Sequence, residues 1–167
     1  MTTLRGRVWR YGDDINTDVI FPGRYLHLLD PEEMAAHAME DLDPEFASRV
    51  EPGDIVVAGR NFGCGSSREQ AATCLLHAGV STVIARSFAR IFYRNAINLG
   101  MPIIVSPDIP DRVETGHVLE IDIVSGRLTD LDTGEEMTFE PLPPFVLEIV
   151  RAGGLIPYTR RRLGLEG

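Results

Sequence analysis

Apolar positions in this chain fall into short runs divided by turn residues, and in its middle third such runs alternate with helical patterns. Ile55-Val56-Val57-Ala58 is a continuous apolar run of strand length, closed by a glycine-rich loop. A helix is predicted from about Ser67 to Ala78, ending at Gly79, and a strand from Val80 to Ala85. A second helix is expected from Ser87 to Leu99, with Phe88, Ile91, Phe92 and Ala96 on one face and Gly100 as its stop, before a strand from Met101 to Val105. This βαβαβ order implies a parallel sheet with right-handed crossovers and helices packed against it.

The flanks read differently. Leu4 to Trp9 predicts a strand, and Val19-Ile20-Phe21 is a short apolar run stopped by Pro22-Gly23. Pro31 suits a first helical turn, with Glu32 and Glu33 near the positive helix end, so a helix is expected from Pro31 to Glu40. Pro44 to Val50 is a second short helical segment before the turn Pro52-Gly53-Asp54. Val118 to Ile123 alternates apolar and polar residues at period two, and turns at Ser125-Gly126-Arg127 and Thr133-Gly134 mark a small antiparallel unit between Gly116 and Glu140. Pro141 to Pro144 is a spacer, Phe145 to Ala152 a final helix, and residues 159–167, with Arg160-Arg161-Arg162, a mobile basic tail. The fold class is α/β: a mostly parallel βαβαβ core with a small antiparallel unit. At roughly 150 residues per domain, 167 residues make one domain, 1–167.

Composition narrows the function. Sixteen basic against twenty-five acidic side chains leave a net charge of −9, which disfavours contact with a phosphate backbone and so argues against nucleic acid. Cys64 and Cys74 are the only cysteines. They are too few for a disulfide framework, or for an iron–sulfur cluster, which takes about three or four thiolates. The N-terminal MTTLRGRVWR lacks the apolar core of a secretion signal, and no run approaches the ~18 apolar residues of a membrane span. An intracellular, reducing setting is expected.

The segment Gly59-Arg60-Asn61-Phe62-Gly63-Cys64-Gly65-Ser66-Ser67-Arg68-Glu69 lies between a predicted strand and helix, at the carboxyl edge of the sheet, where open α/β folds bind ligands. Its glycines admit close backbone approach, the N–H groups at the helix start face an anion, and Arg68 offers a fork matched to a carboxylate. Three other readings compete. Ser66 and Glu69 have the spacing of a capping box, in which the serine merely satisfies a helix N–H. Gly63-Cys64-Gly65 begins a dinucleotide fingerprint, but Arg68 occupies the third glycine position. Cys64 beside a helix start suggests a nucleophile, yet none of His27, His37, His77 and His117 pairs with it by signature, and no metal-ligand spacing is present.

GRNFGCGSSRE from Gly59, DDINTDVIFPGRYL from Asp13 and ARSFARIFYRNAINLGMP from Ala85 together resemble the aconitase family, in the form of the small subunit of 3-isopropylmalate dehydratase. The likeness runs from about Arg7 to Pro107. It implies a swivelling β/β/α domain that closes over a large subunit carrying a [4Fe–4S] cluster, whose iron acts as Lewis acid on the leaving hydroxyl. No cofactor is expected in this chain. By the same resemblance Ser66 is the base that removes the carbon-bound proton, Ser67 and Arg68 bind a substrate carboxylate, and Asp18 supports the acid–base network. A loop-capping role is the competing reading of Asp18.

Residues Arg24, Tyr25, Leu26, His27 and Leu28 fall where the family reads the variable group of its substrate. Leu28 suits an isopropyl group, whereas His27 could meet a polar one. Gln70 stands where many relatives have histidine. The resulting expectation is an isopropylmalate hydro-lyase subunit in leucine biosynthesis, acting on an anionic hydroxy-di- or tricarboxylate and needing the large subunit. Homoaconitase, dimethylmalate dehydratase and a non-enzymatic anion-binding module are the alternatives, and a homo-oligomer is possible for the isolated chain.

Overall fold

The computed structural model describes residues 3–165. Their elements are β1 (Thr3–Arg10), α1 (Thr17–Ile20), a 3-10 turn at Gly23–Tyr25, α2 (Pro31–Ala35), α3 (Phe46–Arg49), β2 (Ile55–Ala58), α4 (Glu69–Ala78), β3 (Thr82–Ala85), α5 (Arg90–Asn98), β4 (Ile103–Val105), α6 (Ile109–Arg112), β5 (Val118–Asp122), β6 (Arg127–Asp130), β7 (Glu136–Thr138), α7 (Pro144–Ala152) and α8 (Leu155–Arg162). The strands form one seven-stranded sheet in the order β4-β3-β2-β1-β5-β6-β7. The antiparallel unit therefore extends the parallel one. Strand β1 joins the two halves: Val8 to Arg10 pair in parallel with Ile55 to Val57, and Thr3 to Arg7 pair antiparallel with Val118 to Asp122.

Period-two alternation divides the core into two layers. Val56, Ala58, Val83, Ala85 and Ile103 face α4 and α5, meeting Ala71, Ala72, Leu75, Phe92, Ala96 and Ile97, while Ile55, Val57, Ile84 and Ile104 face the opposite way, toward Ile109, Leu119, Ile121, Leu128 and Leu147. Strands buried on both faces read as unbroken apolar runs, which is why β2 and β3 were visible in sequence. Asp54, 3% exposed, is buried at the mouth of β2 but satisfied: it accepts hydrogen bonds from the Trp9 indole (2.9 Å) and the Glu51 amide (3.0 Å).

Several expected boundaries move. The helix predicted to Glu40 ends at Ala35, because the Met39 amide donates to the Ile20 carbonyl at 2.8 Å and Met39 takes a positive φ of 60°. The apolar run Val19-Ile20-Phe21 is a helical turn and its exit, since Asn16 caps α1 by accepting from the Val19 amide. Helix α5 begins at Arg90, three residues after Ser87, and Ile91 is 46% exposed, so its buried face is Phe92, Ala96 and Ile97. The tail expected from residue 159 is instead the second half of α8, with Arg160, Arg161 and Arg162 in the last turn, where cations suit the helix dipole; residues 166–167 lie outside the described residues. Among the described residues no helix is long and apolar enough to cross a membrane.

Candidate active site

The three linked sequence motifs meet at the carboxyl end of β2. Residues 12–18 run beside residues 59–68, tied almost residue by residue: Gly59 N–H to the Gly12 carbonyl, Arg60 N–H to Asp13 Oδ1 at 2.7 Å, Asn61 Nδ2 to Asp14 Oδ1 at 3.0 Å, and Gly63 N–H to the Ile15 carbonyl at 2.7 Å. Thr17 then holds two loop carbonyls, its amide donating to Cys64 and its hydroxyl to Ser66, each at 2.8 Å. The third motif closes the other side. Phe62 and Phe88 form a parallel bridge, and the Phe62 ring packs edge-on against Phe88 and Phe92.

Glycine is required at position 63. Its φ is +82°, and a β-carbon there would lie 2.3 Å from Cβ of Phe92. Gly63→Ala is expected to destabilise the chain by about 2–4 kcal/mol, combining backbone strain and overpacking, and to lower Tm by roughly 5–15 °C in thermal denaturation.

The loop presents Ser66 and Ser67 as exposed residues whose hydroxyls have no hydrogen-bond partner among the described residues. The capping box is not formed: α4 starts at Glu69, two residues later than expected, and its N-cap is Arg68, with no side-chain cap. Arg68 is partly buried and only half engaged. Its Nη1 donates to Asp18 Oδ1 (2.7 Å) and to the Phe21 carbonyl (3.1 Å), whereas Nη2 makes no hydrogen bond among the described residues. Asp18 also accepts from the Gly23 amide at 2.9 Å. The Arg68 hydrogen bond, then that of Gly23, holds the Asp18 carboxyl below the usual carboxylate range, so it is ionised at neutral pH. Gly23 gives this pair room, because a β-carbon there would lie 3.3 Å from both Arg68 Nη2 and Asp18 Oδ1.

The segment 24–28 stands beside this pair. Arg24 is turned back to Glu40 Oε2 (2.6 Å) and to both carboxylate oxygens of Asp41 (2.7 and 3.0 Å), and its guanidinium lies over the Tyr25 ring at 4.8 Å. Tyr25 donates to Glu40 at 2.6 Å and stacks on His37 with ring centroids 3.7 Å apart, while His37 Nδ1 is 3.0 Å from Glu40 Oε1. Tyr25 and Leu28 pack on the core; Leu26 and His27 are exposed. An isolated exposed ion pair contributes only about 0–1 kcal/mol, but here two acids, a ring and a histidine act on one turn. The Tyr25 and His37 hydrogen bonds, with Arg24 behind them, bring Glu40 down to about 2.

The family resemblance places Asp18, Ser66, Ser67 and Arg68 in one site, and the structure brings Asp18 and Arg68 into direct contact across fifty positions. Three further residues belong to the site without being marked by the motifs' chemistry: Thr17, which anchors the serine loop, and Glu40 and Asp41, which anchor the 24–28 turn. Thr17 was signalled by its place in the NTD motif; nothing local marked the two acids. Cys64 has no histidine partner among the described residues: His37, His77 and His117 each face an acid, Glu40, Glu32 and Asp130. Cys74 is buried, its thiol pushed far up by desolvation and hydrogen-bonded to the Ala71 carbonyl. These two thiols do not fit a cluster that takes about three or four, and among the described residues no three potential metal ligands converge.

Comparison with known proteins gives the family. Residues 16–107 match the model of the aconitase C-terminal domain, spanning the serine loop, Thr17 and Asp18, and the third motif from Ala85. The 3-isopropylmalate dehydratase small subunit 1 of Methanopyrus kandleri is 55% identical over 95% of this chain and 93% of its own length. The isopropylmalate/citramalate isomerase small subunit of Methanocaldococcus jannaschii is 50% identical over 96% of this chain and 95% of its own. The crystal structure of a 3-isopropylmalate dehydratase from Methanocaldococcus jannaschii superposes with a TM-score of 0.93 at 42% identity, covering 98% of this chain and 96% of that one. The resemblance seen in the three motifs thus extends over nearly the whole fold, its last third included: the chain belongs to the aconitase family, among the small subunits of 3-isopropylmalate dehydratase.

Proposed function

We propose that this chain is the small subunit of a hydro-lyase that interconverts 2-isopropylmalate and 3-isopropylmalate by dehydration and rehydration, in leucine biosynthesis in the cytoplasm, and that it works only with a large subunit bearing a [4Fe–4S] cluster. That cluster, when present in the partner, supplies a Lewis acid for the substrate hydroxyl. The remaining roles fall to this chain.

Ser66 takes the carbon-bound proton, and Ser67 with Arg68 holds a substrate carboxylate. The observation that supports this reading is the half-engaged Arg68 beside two serine hydroxyls with no partner among the described residues: Asp18 and the Phe21 carbonyl fix one arm of the guanidinium, leaving the other available to a ligand. A serine alkoxide needs strong stabilisation. The start of α4 offers at most about 2 kcal/mol, or roughly 1.5 pKa units at 1.36 kcal/mol each. Most of the stabilisation must come from Arg68 and loop amides, whose pull on the alkoxide strengthens when the large subunit covers these exposed serines and excludes water. The isolated chain should accordingly be inactive. Asp18 serves the reaction by orienting Arg68, and residues 24–28 meet the variable group of the substrate, with Leu26, His27 and Leu28 toward it and Arg24 and Tyr25 holding the turn.

A substrate panel tests the assignment. The assembled two-chain enzyme should turn over isopropylmalate with a higher kcat/KM than citramalate, homocitrate or citrate. Turnover of a tricarboxylate alone would overturn it in favour of a homoaconitase or aconitase activity.

A further inference from the structure

Glu40 and Asp41 lie outside the serine loop and outside the 24–28 turn, yet their carboxylates hold that turn through Arg24 and Tyr25. Arg24 is the cation of this segment, and unpaired it would attract a carboxylate. Two acids occupy it instead. The cluster also adjoins the serine site, because Gly23, whose amide donates to Asp18, directly precedes Arg24. Around the turn three carboxylates, Asp18, Glu40 and Asp41, therefore face two guanidiniums, Arg24 and Arg68. A further substrate carboxylate arriving there would meet an excess of negative charge and a cation already paired. An apolar branch would lose nothing.

Resting on the function proposed above, we infer that Glu40 and Asp41 are specificity-determining residues: by neutralising Arg24 and pinning Tyr25 they select an apolar branch and reject a third carboxylate. Specificity then arises partly from repulsion of the wrong substrate. Neither acid touches the reacting atoms, so both act through Arg24 as positioning residues.

The test is the Glu40→Gln/Asp41→Asn double variant assembled with the large subunit, assayed with isopropylmalate and with citrate and homocitrate. Freeing Arg24 should raise the ratio of tricarboxylate to isopropylmalate kcat/KM by about ten- to a hundredfold, the usual effect of one hydrogen bond between charged groups. Adding Arg24→Leu should return that ratio to the wild-type value, which a merely structural role would not predict. Asp41→Asn alone, at an exposed side chain, should show the same direction at smaller amplitude even if the double variant folds poorly. An unchanged ratio in a folded Asp41→Asn or double variant, or a rise that survives Arg24→Leu, overturns the inference while leaving the isopropylmalate assignment intact. A wild-type enzyme that prefers a tricarboxylate overturns both.

Discussion

Ser66→Ala in the assembled two-chain enzyme is expected to lose nearly all turnover while keeping its fold and its hold on the large subunit. Removal of a general base typically costs about 10²–10⁴ in rate, equivalent to roughly 3–5.5 kcal/mol of transition-state stabilisation. The structure separates this outcome from the alternative. Were Ser66 a helix cap, the alanine variant would lose about 1 kcal/mol of stability, visible as a fall of roughly 2–4 °C in Tm. Its hydroxyl caps nothing, and it is the backbone carbonyl of Ser66, not its side chain, that Thr17 holds. An unchanged Tm with abolished turnover is therefore the expected pair of results. Near-normal activity with lowered Tm would reduce Ser66 to a structural residue.

The second large effect is expected for Arg68→Lys. In the proposed mechanism the guanidinium has two tasks: one arm is anchored on Asp18 and the Phe21 carbonyl, and the other, which makes no hydrogen bond among the described residues, is left for a substrate carboxylate. An ammonium is a point charge on a flexible stem and cannot be anchored and bidentate together. Losing one hydrogen bond between charged groups costs about 1.5–3 kcal/mol, so kcat/KM should fall roughly ten- to 150-fold at about 1.4 kcal/mol per decade, with KM raised. Unchanged KM would show that Arg68 holds no substrate carboxylate. Isothermal titration of the assembled enzyme with a non-reacting dicarboxylate separates the binding loss from the chemical step.

Local sequence was most informative where local forces dominate. Ile55 to Ala58 read as a buried strand because four apolar residues stand between Asp54 and Gly59, and both faces of β2 are covered. Gly79, with φ of +107°, ended α4 where predicted because left-handed backbone favours glycine. Boundaries failed where a distant backbone group competed for an amide. Met39 gives its N–H to Ile20 instead of continuing α2, and Ala89 gives its N–H to Phe62, so residues 87–89 are held against the loop after β2 and α5 starts late. Helix propensity differs among ordinary residues by at most about 0.7 kcal/mol each, and a buried backbone hydrogen bond outweighs that.

The site divides along the same line. Which residue types were available was written in the chain: a glycine-rich turn, paired serines, an arginine at a helix start, and too few thiols for a cluster. Their partnerships were not. Asp18 and Arg68 are fifty residues apart, and Arg24 reaches Glu40 and Asp41 across sixteen and seventeen. No local period marks such pairs, since each depends on how the 12–18 segment docks beside β2 and where α2 breaks. Chemistry was carried by composition and motif; the orientation of Arg68, the freedom of Ser66 and the neutralisation of Arg24 were decided by packing, because only the folded chain determines which opposite charges come within hydrogen-bond reach.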